Sequence, residues 1–124
     1  MNILLDTHIL LWAISEPKKI PPSFRALLES LANDCFVSAV SITEIMIKAS
    51  IGKLDCTFDP VEEAEAAGFT IIDYAGSDAL PLKELPFHHR DPFDRMLISQ
   101  SITRNLPLMT CDKAFTAYDC DMVE

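Results

Sequence analysis

Glycine is scarce in this chain, three residues in 124, and Gly52, Gly68 and Gly76 stand far apart. A loop that cradles phosphate needs clustered glycines so that backbone amides can approach the ligand, so neither a P-loop nor a dinucleotide fingerprint is present. No Gly-x-Ser-x-Gly elbow occurs either, which removes the usual mark of a serine nucleophile on an α/β sheet. Long apolar runs are missing too. None approaches the ~20 residues that cross a bilayer, and the first residues lack a secretory leader, so a cytoplasmic protein with no membrane partner is expected. The four cysteines, Cys35, Cys56, Cys111 and Cys120, lack the paired spacing of zinc or redox motifs, and reduced thiols are expected. Basic residues are few: 10 Lys and Arg against 19 Asp and Glu, a formal net charge of −9. Proteins that hold nucleic acid by surface charge carry a basic stripe, and this composition opposes one. Acids gathered around divalent cations escape that objection, because bound ions reverse the local charge.

What is present suits one compact core, since 49% of the residues are hydrophobic, and a single domain over residues 1–124 is expected. Ile3-Leu4-Leu5 is a short continuous apolar run that ends on Asp6-Thr7. Such runs suit strands covered on both faces, and sheets of that kind bind ligands beyond the carboxyl ends of their strands. Further strands are expected at 35–38, 69–72 and 106–110, with a short edge strand at 120–123. Between them lie helices. One begins at Asp6 or Thr7. A second, capped by Ser23, places Phe24, Leu27, Leu28 and Leu31 on one stripe. Others cover 41–51 with Gly52 ending it, 60–67 after Asp59, 77–84, 92–104 after Asp91, and 112–118. Alternating strands and helices imply right-handed crossovers, hence an α/β three-layer sandwich around a mainly parallel sheet of about five strands.

On this plan Asp6 and Asp112 follow strands, while Glu44 and Asp94 sit in first helical turns, so all four acids can meet at one sheet edge. Each also has a local role open to it, because helix N-termini favour acids. Ser41-Ile42-Thr43-Glu44 has the form of a capping box, and Asp91-Pro92-Phe93-Asp94 can be read likewise. Asp94 shares a helical face with Leu97, Ile98 and Ser101, the face expected against the sheet, where an unpaired charge is untenable and a cation is the natural partner. Glu44 is expected roughly opposite the apolar stripe Ile42, Ile45, Met46 and Ala49, with Ile47 and Ile51 on its own side. Grouped carboxylates repel unless a hard divalent ion joins them, and Mg²⁺ needs only one or two directly. Thr7 and Thr110 can orient such a site or serve as caps. Arg90 and Arg95 can contact phosphate or pair with Asp91 and Asp94. His88 and His89 read first as solvated loop residues, with metal ligation or catalysis as the alternative.

In order, Leu4-Leu5-Asp6-Thr7-His8, Ser41-Ile42-Thr43-Glu44, Asp91-Pro92-Phe93-Asp94-Arg95-Met96-Leu97-Ile98 and Leu108-Met109-Thr110-Cys111-Asp112-Lys113-Ala114-Phe115 resemble the PIN-domain family, VapC-type toxins above all. The resemblance implies a Rossmann-like PIN fold and a Mg²⁺- or Mn²⁺-dependent endoribonuclease. It further implies a homodimer and a toxin–antitoxin pair, with RNA as substrate and a cognate antitoxin as partner. Carried over by position, the site acids become Asp6, Glu44, Asp94 and Asp112, with Asp91 a cap or auxiliary ligand. Two other classes stay open: a receiver-like signalling module, which would have to accept phosphate at Asp73, and a catalytically silent PIN-like binding protein.

Overall fold

The computed structural model describes all 124 residues. Four strands, β1 (Asn2–Leu5), β2 (Asp34–Ser38), β3 (Thr70–Ile72) and β4 (Leu108–Met109), pair in parallel in the order β3-β2-β1-β4. The helices are α1 (Thr7–Ser15), α2 (Pro22–Glu29), α3 (Ala39–Ser50), α4 (Pro60–Ala66), the single turn α5 (Gly76–Ala79) and α6 (Pro92–Arg104). Residues 17–19, 80–83 and 113–117 form 3₁₀ turns. The sheet is covered on both faces, as its apolar strands require. Ile3 and Leu5 point into one core with Ile9, Phe24, Val37 and Ile45, while Leu4 points into the other with Ile98, Leu108 and Phe115.

Three expectations need correction. The fifth strand is only an isolated bridge, Leu108 to Met122, because so short a terminal segment pairs with an edge at a single point. Helix α2 begins at Pro21-Pro22 without a side-chain cap from Ser23 and stops at Glu29, so Leu31 lies beyond it, fully exposed. Proline at the first helical position is pre-set for that start. Helix α3 begins at Ala39, capped by Ser38, whose Oγ accepts from the Val40 amide at 3.1 Å. Ser41 is thereby inside the helix and Glu44 is not part of a capping box.

Strand order carries the main positional consequence. From β1 the chain winds outward through β2 to β3, then returns to add β4 on the other side of β1. Such a reversal opens a crevice at the carboxyl ends of the two strands that flank it, here β1 and β4. Asp6 and Thr110 each follow the paired residues Leu5 and Met109. Asp73 follows β3, at the far edge of the sheet with β2 between it and Asp6, so a receiver-type phosphate acceptor there would stand apart from the β1/β4 crevice.

Helix α6 is anchored at its far end. Asp78, almost fully buried, accepts from Arg104 Nη2 at 2.7 Å, from Gln100 Nε2 at 3.3 Å and from the Ala75 amide at 2.8 Å. The Arg104 bond, acting against burial, holds the Asp78 carboxyl down at about 2. A depressed carboxyl stabilises the fold above its unfolded value near 4, and that contribution is lost as the pH falls from about 4 towards 2. Asp78→Asn should therefore cost on the order of 2 kcal/mol at pH 7, read as a lower urea midpoint, and the gap to wild type should close between pH 4 and pH 2.

Candidate active site

At the β1/β4 crevice the backbone itself sets Asp6 in place. Its amide donates to the Met109 carbonyl at 3.0 Å, continuing the ladder one step past the strands. As N-cap of α1, Asp6 accepts from the Ile9 amide through Oδ1 at 2.8 Å, and the Thr110 hydroxyl donates to Oδ2. Burial pushes this carboxyl above the ordinary range; the Thr110 and Ile9 bonds pull it down, and the Asp112 charge adds to the rise. Thr110 in turn accepts from the Asp112 amide at 3.0 Å. One threonine thus fixes an acid from each end of the chain.

At the start of α6, Asp91 is the N-cap and accepts from the amides of Phe93 at 2.9 Å and Asp94 at 3.2 Å. Pro92 follows in the position that tolerates proline. Asp94 has no such local partner. Its carboxyl is pushed up to about 6, first by burial, then by the charges of Asp91 and Glu44, with His89 opposing and Asp6 adding. Leu97, Ile98 and Ser101, on the same face, are buried.

Glu44 overturns its expectation. It is buried at 3% exposure, whereas Met46 of the supposed buried stripe is 42% exposed. The reason lies outside the helix: Thr7 at the start of α1 sits 2.7 Å from Glu44 Oε1 and 2.9 Å from Ser41 Oγ. With one hydroxyl proton, Thr7 donates to the carboxylate and accepts from Ser41. Lys48, one turn on, takes the other carboxylate oxygen at 2.5 Å. That bond raises the lysine pKa, which the charges of Asp91 and Asp94 also support. Lys48 was absent from the candidates, yet its signal was legible, since Glu followed four residues later by Lys is the favourable helical ion pair.

The loop before α6 brings in His89 and leaves His88 outside. His89 Nε2 lies 2.8 Å from Asp94 Oδ2 and 3.3 Å from Asp112 Oδ2, buried, with its N–H aligned on neither oxygen. Nδ1 accepts from the Asp91 amide at 3.3 Å, so the neutral ring carries its proton on Nε2. Arg95 builds this loop and does not pair with Asp94. Its buried guanidinium donates to the carbonyls of Pro86 at 2.8 Å, Leu85 at 3.0 Å and His89 at 3.3 Å, and lies 4.0 Å from the Phe87 ring centre. Buried and committed to these carbonyls, Arg95 is turned away from any phosphate at the crevice. Arg90 is exposed and in none of the chain's ion pairs.

Ligand atoms of His89, Asp94 and Asp112 lie within 4.8 Å of one another. In the tautomer set by Asp91, the histidine presents a donor to the two carboxylates, which leaves the oxygens of Asp94 and Asp112; Asp6, whose charge interacts with both, is the third carboxylate at the site. Oxygen ligands and crowded charge fit a hard divalent cation such as Mg²⁺ or Mn²⁺.

A sequence model of the PIN domain matches residues 3–119. No curated protein matches the chain by sequence. Among solved structures, a chain of VapBC2 from Rickettsia felis, bound to a DNA fragment from their promoter, has a TM-score of 0.75 at 22% identity, covering 100% of this chain and 98% of that one. A chain of DNA-bound VapBC from Salmonella typhimurium gives 0.68 at 15%, covering 100% and 97%. FitAcB from Neisseria gonorrhoeae gives 0.60 at 20%, also covering 100% and 97%. At these identities the likeness is one of fold.

Crowding at Asp94 has a measurable cost. A raised carboxyl lets the folded state hold its proton more tightly than the unfolded chain, so stability falls as the pH rises from about 4 through about 6. Asp94→Asn should raise the Tm in chelator at pH 8 by a few degrees, with the gain vanishing near pH 4. Mn²⁺ should raise the Tm of the wild type more than that of the variant; a lower Tm for Asp94→Asn at pH 8 would contradict this account.

Proposed function

The chain belongs to the PIN-domain family, and from this we propose that it is a metal-dependent endoribonuclease of the VapC type, the toxin of a toxin–antitoxin pair. The observation that carries the reading is a chain of carboxylates from separate elements, in which the charges of Asp6 and Glu44 both act on Asp94 and that of Asp112 acts on Asp6. Asp6, Asp94 and Asp112 would hold Mg²⁺ or Mn²⁺, directly or through water. When bound, the ion activates water and offsets charge on the transferring phosphate.

The chain's own residues supply orientation. Thr110 holds Asp6, so that the oxygen facing the crevice keeps one direction. Thr7 and Lys48 hold Glu44 from both oxygens, which suits it to orient the attacking water more than to bind metal tightly. His89, between Asp94 and Asp112, donates to whichever carboxylate turns towards it. Water adds to phosphorus and the bond from phosphorus to the leaving oxygen breaks. Arg90, exposed beside the site, is available to substrate phosphate. Single-stranded RNA, whose backbone bends freely, suits a narrow acidic crevice. A cognate antitoxin as partner is supported by neighbours that are VapBC and FitAcB complexes, and homodimerisation by the exposed apolar Met46, Ile47 and Ile51 on or just after α3.

The test compares wild type, Asp6→Asn and Asp94→Asn on structured RNAs with unpaired loops, with Mg²⁺ or Mn²⁺ and with chelator. Cleavage by the wild type with metal alone, reduced at least a hundredfold in both variants, is expected. Equal cleavage by all three, or cleavage indifferent to chelator, would sink the reading. Metal binding without cleavage of any RNA would identify a silent binding protein. Glu44→Gln keeps the Thr7 bond and loses the Lys48 ion pair, so a drop in turnover at unchanged metal affinity is expected; wild-type turnover would reduce Glu44 to a structural residue.

A further inference from the structure

The turn that ends α3 brings two lysines to the lining of one cavity next to the acids. Gly52, at φ 75°, reverses the chain, and the amides of Gly52 and Lys53 return to the carbonyls of Ala49 at 3.2 Å and Lys48 at 2.9 Å. In this Schellman arrangement, apolar contact commonly forms around the two residues joined by the wider bond. Here both of those residues are cations. An apolar pair is the usual choice there, and a departure from it is expected where function requires it.

Lys48 is held by Glu44. Lys53 is exposed and in none of the chain's ion pairs. Together with Thr7, His8 and Glu44, both lysines line a cavity of about 150 Å³. The cavity borders the acid site, since Thr7 and Glu44 belong to both. We propose that it is a phosphate subsite, holding a backbone phosphate of single-stranded RNA next to the scissile one between the ammonium groups of Lys48 and Lys53. This rests on the ribonuclease reading and deepens it. With a net charge of −9 and four acids at the reaction site, the polyanion must be held by cations beside those acids. Arg95 is engaged by carbonyls, Arg104 by Asp78 and Lys19 by Glu16; Arg90 and Lys113 adjoin the acids in sequence, and Lys53 is the one cation outside any ion pair that lines this cavity. A phosphate entering the cavity would share Lys48 with Glu44, whose carboxylate Thr7 keeps in place.

The probe is a fluorescently labelled single-stranded uridine ten-mer, bound to the full chain carrying Asp6→Asn so that it is not cut, at 50 to 200 mM KCl with Mg²⁺. Adding Lys53→Ala should weaken binding severalfold at low salt and reduce the slope of log K against log salt by about 0.7, the share of one phosphate contact on a single strand. Lys53→Arg should restore both. Lys18→Ala, beyond the far end of α1, should leave both unchanged. Equal affinity and slope for Lys53→Ala overturns the subsite. So does a glutamate hexapeptide that binds as tightly as the RNA and loses binding equally on Lys53→Ala, which would mark a site for an acidic protein segment. If the unsubstituted chain cuts no RNA while the Lys53 effect persists, the ribonuclease reading fails and the subsite stands. Cleavage with an unaltered salt slope in Lys53→Ala fails the subsite alone.

Discussion

Mutual repulsion among carboxylates held partly out of water is the constraint around which this molecule is arranged. Placed on one flexible loop, such groups would separate or take up protons. Here each is fastened to a different rigid element: Asp6 at the end of β1, Glu44 on α3, Asp94 on α6 and Asp112 after β4. None can retreat without unpacking its element. The donors around them, Thr110 for Asp6 and Thr7 with Lys48 for Glu44, reduce the repulsion without cancelling it, and Asp94 carries the remainder.

Elements whose ends are written in local chemistry were legible in the sequence. Helix α6 has Asp91 and Pro92 at its start and Asn105, at positive φ, at its end, and the structure uses all three. Alternation of short apolar runs with helical stripes was enough to expect a parallel three-layer plan. What escaped was decided by tertiary partners. Hydropathy put Glu44 on the outer side of its helix, and its burial comes from Thr7, 37 positions away in the chain. His89 stands in a loop, where no periodicity says which way a ring faces. The direction of Arg95 depends on loop carbonyls that no spacing announces.

The basic residues divide along the same lines. Two of the arginines do structural duty, because a planar fork satisfies several fixed oxygens at once. Arg95 gathers three carbonyls and so holds the loop that presents His89, and Arg104 ties α6 to Asp78. Lys48 and Lys53, as mobile point charges, stand beside the acids, where a charge that can change partners is more useful than one that cannot.

The hydrogen bond from Thr110 to Asp6 joins residues 104 positions apart, and β4, which carries Thr110 into place, is the last strand of the sheet. A chain is made from its amino end, and domains generally fold as units. While residues beyond about 105 are still inside the ribosome, β1 has no partner on that side and the acid cluster lacks Asp112. The crevice between β1 and β4 is therefore a late product of folding, formed only after β4 has emerged and paired with β1.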